Sequence, residues 1–347
     1  MERMEEAGGG GGGGGETGGA PGAGATPEAG VGIGATMDAL SAAVERVVLG
    51  QPELVRQLMV TFLAGGHALI EGVPGTAKTL VVRALARGLQ LRFGRVQFTP
   101  DLMPTDLVGV NVLDPRTSEF VFRPGPIFTD LLLADEINRA PAKTQAALLE
   151  AMQERQATVD GETHRLPAAF TVLATQNPVE FEGTYPLPEA QIDRFLLKIR
   201  VGYPAEDAEA EILDRYADGF DAERTETFPV SAMVEAASVD VLRRHVAAVH
   251  MEPPVRRYIT RIVRATREHP TFNLGASPRA GVALFLAARA NAVLEGRDFA
   301  TPDDVKALAL PVLRHRVMLT PEAEVEGRGT DAWLLDVLGT VEAPRTR

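Results

Sequence analysis

The chain has 347 residues, 45% of them hydrophobic and 24% charged, which allows about two domains, each with a buried core. It has no cysteine, which excludes disulfides, thiolate metal sites and cysteine nucleophiles, and its formal net charge of −12 argues against binding to nucleic acid. No apolar run approaches the roughly 20 residues that span a bilayer, and no secretory signal is evident, so we expect a cytoplasmic protein without a membrane segment.

Glycine, alanine, proline and glutamate dominate the first 35 residues, which include an unbroken glycine run from Gly8 to Gly15. Such a segment cannot bury enough apolar surface to offset the entropy that it would lose on ordering. We therefore predict a disordered tail over residues 1–35, followed by an α/β domain over residues 36–204.

A glycine-containing segment lies between a predicted strand and a predicted helix. The apolar run from Ala68 to Ile70 indicates a buried strand, and apolar residues at helical spacing from Leu80 to Ala86 indicate a helix. A turn of this kind leaves backbone N–H groups free to bind phosphates at the positive end of the helix dipole. The predicted nucleotide-binding residues are Gly72, Val73, Pro74, Gly75, Thr76, Ala77, Lys78, Thr79 and Leu80.

Two side chains of this segment have defined chemistry towards a nucleoside triphosphate. Lys78 would contact the β- and γ-phosphates, and the hydroxyl of Thr79 would ligate Mg²⁺. The pattern G-x-x-x-x-G-K-[ST] has glycine where this chain has Ala77, a departure that leaves the Lys78 and Thr79 chemistry intact. The segment predicts ATP and Mg²⁺ as cofactors; the alternative is a glycine-containing turn before an ordinary surface lysine.

A second apolar run ends in two adjacent acids. Residues Ile127 to Ala134 are nearly all apolar, as in a strand buried on both faces of a parallel sheet, and Asp135 and Glu136 follow. Such acids lie at the carboxyl edge of the sheet, where open α/β folds bind ligands. Asp135 would hold the hydration shell of Mg²⁺, and Glu136 would polarise the attacking water. A solvated strand end is the alternative for an isolated pair of acids.

Several long motifs occur in order between residues 71 and 198. They are Gly125-Pro126-Ile127-Phe128, Leu131 to Pro141, Leu148 to Arg155, Ala174 to Pro178, and Leu187 to Phe195. This series resembles the MoxR family of AAA+ ATPases, and Ala77 matches the family as well. The resemblance covers about Leu40 to Leu338. It implies a P-loop NTPase fold of the α/β class, with a parallel β-sheet flanked by helices and a smaller all-α lid domain.

The resemblance assigns roles to three further residues. Asn177 matches sensor 1, which orients the water against the γ-phosphate; a turn-forming asparagine is the alternative. Arg194 matches the arginine finger, which reaches a neighbouring subunit's ATP site; a helix-surface arginine paired with Asp193 or Glu189 is the alternative. Arg279 matches sensor 2, an arginine of the lid that serves its own or the neighbouring site; an arginine in the first turn of a helix is the alternative.

Helical signals alone follow residue 204, so we predict the all-α lid over residues 205–347. Pro254, Ser277-Pro278 and Asp331 each mark a helix start, and Thr301 to Asp304 combines an N-cap, an N1 proline and a capping-box acid. A hinge between the domains would convert ATP occupancy into movement.

Two segments of the first domain depart from regular strand and helix patterns. Residues Gln156 to Ala169 alternate as in a β-hairpin with Asp160-Gly161 at the tip, and a segment rich in proline and glycine precedes the strand that ends at Asp135. The resemblance implies that these two insertions form the substrate-facing surface of an assembled ring.

The leading hypothesis is Mg²⁺-dependent ATP hydrolysis that drives chaperone-like remodelling, maturation or assembly of protein complexes. The resemblance implies a homo-oligomer, a hexameric ring, with a protein client and a partner that carries a von Willebrand factor A domain. A nucleic-acid motor of the helicase type is one alternative; a nucleotide-gated scaffold without turnover is another. Local basic runs occur at Arg256 to Arg267 and at Arg314 to Arg316, and the first predicts one solvated lid face.

Overall fold

The structure is a computed structural model that describes residues 27–177 and 184–344. Helices and strands alternate in the first part of the chain. They are α1 (Pro27–Glu45), α2 (Pro52–Leu63), β1 (Ala68–Gly72), α3 (Lys78–Gly88), β2 (Phe93–Gln97), α4 (Pro104–Val108), β3 (Gly109–Asp114), β4 (Glu119–Pro124), β5 (Leu131–Asp135), α5 (Ala142–Glu154), β6 (Gln156–Val159), β7 (Glu162–Arg165), β8 (Thr171–Gln176), α6 (Glu189–Ile192) and β9 (Leu197–Val201).

The centre of this part is a five-stranded sheet in the order β2-β5-β8-β1-β9, in which each neighbouring pair is parallel. Strands β1, β5 and β8 are almost wholly buried, because helices cover both faces and the strand residues are mostly apolar. Parallel strands end at the same edge, so the residues that follow β1, β5 and β8 meet there. The α/β fold predicted from the sequence is confirmed.

Strand β5 is shorter than the sequence indicated. It begins at Leu131, whereas residues 127–130 form a turn, so the predicted strand over Ile127 to Ala134 was wrong in its first half. The carbonyl of Arg92 stabilises this turn, because it accepts hydrogen bonds from Thr129 Oγ1 at 2.8 Å and from the Asp130 N–H at 3.2 Å. Ile127 is fully buried within the turn, which explains its strand-like apolar character.

Two hairpins lie outside the main sheet. Strands β6 and β7 pair in antiparallel fashion across Asp160 and Gly161, both with positive φ, as a type I′ hairpin turn requires. The predicted hairpin is therefore confirmed. Strands β3 and β4 form a second antiparallel hairpin in the segment rich in proline and glycine. The two hairpins are joined by a hydrogen bond from Asn111 Nδ2 to Asp160 Oδ2 at 2.9 Å.

The remainder of the described chain is mainly helical. Its elements are α7 (Glu206–Ala217), α8 (Val239–Ala248), α9 (Pro253–Glu268), β10 (Phe272–Leu274), α10 (Pro278–Leu294), α11 (Pro302–Leu313), β11 (Met318–Leu319), α12 (Pro321–Val325) and α13 (Thr330–Thr340). Strands β10 and β11 pair as a small antiparallel sheet, an addition to the helices predicted there. Helix α11 begins with the predicted capping box, since Asp304 Oδ2 accepts the Thr301 N–H at 2.7 Å.

One continuous apolar cluster joins α1 and α2, one face of the sheet, and helices α8 to α11 and α13. Residues 1–26 of the predicted tail lie outside the described residues. The rest of the predicted tail, residues 27–35, belongs to helix α1, which begins at Pro27. No helix in the described ranges is long and apolar enough to cross a membrane.

Candidate nucleotide-binding site

The turn between β1 and α3 has a tightly constrained backbone. A Cβ on Gly72 would lie 2.6 Å from the carbonyl oxygen of Val201, so only glycine fits beside the neighbouring strand. Gly75 has a φ of +83°. Ala77 has a φ of 59°, which is the left-handed region that favours glycine. The departure of Ala77 from the P-loop pattern thus falls at a position whose backbone conformation explains the usual glycine.

Lys78 is the first residue of α3 and its side chain turns back over the loop. Its Nζ donates to the carbonyl oxygens of Gly72 at 2.6 Å and Val73 at 2.7 Å. Burial lowers the pKa of Lys78 below its ordinary value, while the negative charges of Asp135 and Glu136 raise it. The ammonium is therefore bonded to the loop backbone and feels the negative charge of the two acids at the end of β5.

A cavity of about 460 Å³ opens at this edge of the sheet. Gly72 and Val73 hold Lys78 without lining the cavity. The predicted residues that do line it are Pro74, Gly75, Thr76, Ala77, Lys78, Thr79, Leu80, Asp135, Glu136 and Asn177. The sheet thus brings together residues from three separate strand ends, because β1, β5 and β8 are neighbours in the parallel order. Asn177 directly follows β8 and is buried.

Both acids are fixed by hydrogen bonds from neighbouring strands. Thr175 Oγ1 on β8 donates to Asp135 Oδ1 at 2.6 Å and accepts the backbone N–H of Glu136 at 2.8 Å. On the other side, Arg95 Nη2 donates to Asp135 Oδ2 at 2.6 Å, and Gln97 Nε2 donates to Glu136 Oε2 at 2.6 Å. The Glu136 backbone has a φ of 56°, so this bonded acid also stands in the left-handed region.

Sequence reasoning missed three of these residues. Arg95 and Gln97 are polar at alternate positions of β2, which is the spacing of side chains on one face of a strand. That alternation is the signal that could have marked them, since Gln97 pairs in register with Asp135. Thr175 lies in a continuously buried strand and carries no comparable signal in the sequence.

The far side of the cavity is built by a segment that the sequence placed in the lid. Helix α7 contributes Ile212, Arg215 and Tyr216, and Phe220 follows them. Residues 47–49, just before α2, complete this wall. The cavity therefore has a polar end at the phosphate loop and a more apolar end, as binding of a phosphate chain and a flat base requires.

The two predicted arginines lie elsewhere. Arg194 and Arg279 both line a second cleft, of about 310 Å³, and neither lines the cavity at the phosphate loop of its own chain. Arg194 Nη1 donates to the Leu149 carbonyl at 2.9 Å, while Arg279 Nη1 is 3.8 Å from Asp193 Oδ2. Asp193 also pairs with Arg316 at 2.6 Å, so its partners are Arg279 and Arg316.

The fold and this cavity together define a P-loop ATPase of the AAA+ class. Residues 67–197 match the family described as "ATPase family associated with various cellular activities (AAA)", and residues 264–335 match the family described as "AAA lid domain". The crystal structure of a candidate ATPase from Cytophaga hutchinsonii is similar, with a TM-score of 0.84 at 39% identity, covering 92% of this chain and 98% of that one.

Relatives that match over most of their length identify the family within this class. YeaC, an uncharacterized protein of Bacillus subtilis, is 47% identical over 304 residues, which cover 88% of this chain and 93% of YeaC. Chaperone MoxR1 of Mycobacterium tuberculosis is 42% identical over 335 residues, which cover 92% of this chain and 86% of that protein. The chain belongs to the MoxR family of AAA+ ATPases.

Proposed function

We propose that this ATPase hydrolyses ATP with Mg²⁺ at the described cavity, in a ring of identical subunits, and that hydrolysis drives chaperone-like remodelling of protein complexes. The proposal rests on the positions of the predicted site residues, which lie in two separate places on the chain. Lys78, Thr79, Asp135, Glu136 and Asn177 converge on one cavity, whereas the two predicted arginines share another surface of the same chain.

The chemistry follows from what each group in the cavity can do. Backbone N–H groups of the loop and the Lys78 ammonium bind the outer phosphates. Glu136 accepts a proton from the attacking water, which Asn177 orients, and this step contributes roughly 10²–10⁴ in rate. Thr175 and Gln97 position the acids.

The residues present fit a magnesium ion. Mg²⁺ prefers hard oxygen ligands and is usually held by one or two carboxylates together with substrate phosphates. The Thr79 hydroxyl and the Asp135 carboxylate line the same cavity and would hold the ion or its water shell. Within residues 27–177 and 184–344, no group of three or more His, Asp or Glu is arranged to bind a metal ion on its own. When bound, Mg²⁺ neutralises charge on the phosphates.

A neighbouring subunit would complete the site. Arg194 and Arg279 line the same cleft, and both would approach the γ-phosphate bound by the next copy. An arginine supplied in trans contributes about 10³–10⁵ in turnover. This arrangement favours a closed ring, a hexamer by analogy with the family, in which each copy presents arginines to one neighbour and an ATP cavity to the other.

The hairpin of β3 and β4 is the candidate surface for a protein client. Its strand residues Leu113, Phe120 and Val121 are exposed, and Phe120 is 74% accessible. A hairpin outside the main sheet with apolar side chains in solvent is a typical contact site for another polypeptide. The similarity to Chaperone MoxR1 supports a protein client, and a von Willebrand factor A domain partner and a cytoplasmic location are further parts of this proposal.

A mixing experiment tests the composite site. Lys78→Ala subunits lose ATP binding, and Arg194→Ala subunits lose the arginine, so each is inactive alone. In random 1:1 rings, roughly a quarter of the interfaces join an intact phosphate loop to an intact arginine, and about that share of activity should return. A mixture of Arg194→Ala with the Lys78→Ala/Arg194→Ala double variant is the matched control and should stay inactive. If mixed rings form without activity, Arg194 does not act in trans.

The client is tested with a Glu136→Gln trap that binds ATP without turning it over. The trap should retain a protein client in ATP, and adding Phe120→Ser to the trap should release it while ATP binding is unchanged. Binding of DNA that depends on ATP and falls with salt would instead favour a nucleic-acid motor. Normal ATP binding in wild-type rings without any turnover would favour the scaffold.

A further inference from the structure

The lid carries a groove of about 410 Å³ between α9 and α10. Its floor is apolar and its rim is cationic, and none of the described residues that line it is acidic. The floor consists of Ile259, Val263, Gly281, Val282 and Phe285, and the rim includes Arg256, Arg264 and Arg267. In a chain of net charge −12, such a concentration of arginine on one helix is a local feature that a partner can recognise.

One residue of the groove floor, Gly281, has no side chain. A Cβ added to Gly281 would meet Ile259 and Val263 only at 3.8 Å, which is ordinary contact, so the space is not taken up by internal packing. Beside it, Val282 is 58% exposed. An apolar floor in water is unfavourable, and burying it against another surface removes that penalty.

Helix α7 offers the complementary surface on the same molecule. Ala210, Leu213 and Ala217 follow one another at helical spacing on its outer side, and Leu213 is 71% exposed. No residue of α7 is buried. The helix also carries the acids Glu206, Asp207, Glu209, Glu211 and Asp214. An apolar stripe flanked by acids matches an apolar groove flanked by arginines in both chemistry and charge.

The positions of the two surfaces agree with a head-to-tail contact. The inner side of α7, at Ile212 and Tyr216, lines the nucleotide cavity. Val282 in the groove also lines the cleft of Arg194 and Arg279. If the arginine cleft of one copy meets the nucleotide cavity of the next, the groove and the neighbour's α7 come to the same boundary. This step rests on the proposed function.

We propose that the α9–α10 groove of one copy receives helix α7 of the next copy. Leu213 enters the apolar floor, and Glu206 and Glu209 lie against Arg256 and Arg264. The two surfaces differ, so the contact is heterologous and generates a ring when the rotation closes. Because the other side of α7 lines the nucleotide cavity, the contact ties subunit association to nucleotide occupancy.

Charge exchange tests the contact in the Glu136→Gln background with ATP and Mg²⁺, where association is measured by sedimentation without hydrolysis. Arg256→Glu/Arg264→Glu should weaken association about tenfold or more, and so should Glu206→Arg/Glu209→Arg, because each places like charges together. Combining all four changes should restore association to within a few-fold. Arg257→Glu is the matched control, since Arg257 is exposed on α9 without lining the groove, and it should leave association unchanged.

The results separate this contact from the proposed function. If the parent protein associates and the Arg256→Glu/Arg264→Glu variant associates equally well, the groove does not receive α7. In that case activity recovered by mixing Lys78→Ala with Arg194→Ala subunits still supports the composite site. Weakening by both double variants without rescue in the combined one also overturns the pairing of these residues. A wild-type protein that hydrolyses ATP at full rate as a monomer overturns both proposals.

Discussion

Thr175 holds both acids of the candidate site with one hydroxyl, so we expect removal of that hydroxyl to lower both stability and turnover. The side chain is 1% exposed and stands between Asp135 Oδ1, to which it donates, and the Glu136 N–H, which it accepts. Thr175→Val keeps the size and shape of the side chain and removes both bonds. Thr175→Ser keeps the hydroxyl and removes only a methyl group.

The expected loss follows from the two partners. A hydrogen bond to a carboxylate contributes about 1.5–3 kcal/mol, and a buried N–H left without a partner costs about 1–3 kcal/mol. Asp135 retains its bonds from Arg95, so we expect the loss of its bond from Thr175 to cost the lower end of the first range. We expect Thr175→Val to lower the free energy of unfolding by about 2–4 kcal/mol, against about 1 kcal/mol for the methyl group lost in Thr175→Ser.

Turnover should follow the same order. Glu136 sits in a left-handed conformation that its N–H bond to Thr175 helps to hold, so the base shifts when that bond is lost. A shift of this kind typically lowers turnover by about 10- to 100-fold. Urea unfolding and steady-state phosphate release measure the two effects. If Thr175→Val and Thr175→Ser have equal stability and equal turnover, Thr175 does not position the acids.

Three further predictions concern the base and two buried groups. Glu136→Gln should keep ATP affinity and lower phosphate release by roughly 10²–10⁴-fold; normal turnover would remove Glu136 from its role. Burial, followed by the charge of Arg155, lowers the pKa of His67 from 6.5 to about 3, so the unfolded chain protonates first and stability falls between pH 6.5 and about 3. The loss by pH 5 is about 2 kcal/mol, and His67→Gln should show a shallower fall in urea unfolding; equal slopes would contradict this. Asp304 accepts bonds from Arg297 at 2.7 and 2.8 Å, so Asp304→Asn should cost about 3 kcal/mol of unfolding free energy, while exposed Asp303→Asn should cost almost none in the same assay.

The sequence was sufficient for the parts of the fold and the cavity that depend on neighbouring residues. The loop from Gly72 to Thr79, the Asp135-Glu136 pair and the capping box at Thr301 each consist of a few consecutive positions whose chemistry fixes the local conformation. The same holds for the hairpin at Asp160-Gly161, because aspartate and glycine both tolerate the left-handed backbone of a type I′ turn.

The rest depends on residues that are distant along the chain. Arg95 contacts Asp135 across 40 positions, and Arg83 contacts the carbonyl of Ala222 across 139, so no local pattern identifies the partner in either contact. Helix α7 closes the nucleotide cavity through a few half-buried residues, and nothing in its own sequence indicates that it contacts the phosphate-loop domain. The start of β5 was misplaced because a buried turn and a buried strand have the same apolar composition.

The contacts of the lid restrict how ATP could produce movement. Arg316 is 8% exposed and donates to the carbonyls of Asp193 at 3.1 Å and Phe195 at 2.6 Å, in the segment that leads into β9. Its neighbours act in the same way, since His315 bonds to the Phe195 carbonyl at 3.0 Å and Arg314 to the Lys198 carbonyl at 3.1 Å. Swinging the lid away from β9 would break the bonds of Arg316 to Asp193, Leu196 and Phe195 and keep its bond to the Val312 carbonyl, and this loss costs several kcal/mol. Movement on hydrolysis is therefore easier at α7 than at a hinge between sheet and lid. No residue of α7 is fully buried, and the helix lies at both the nucleotide cavity and the proposed subunit boundary.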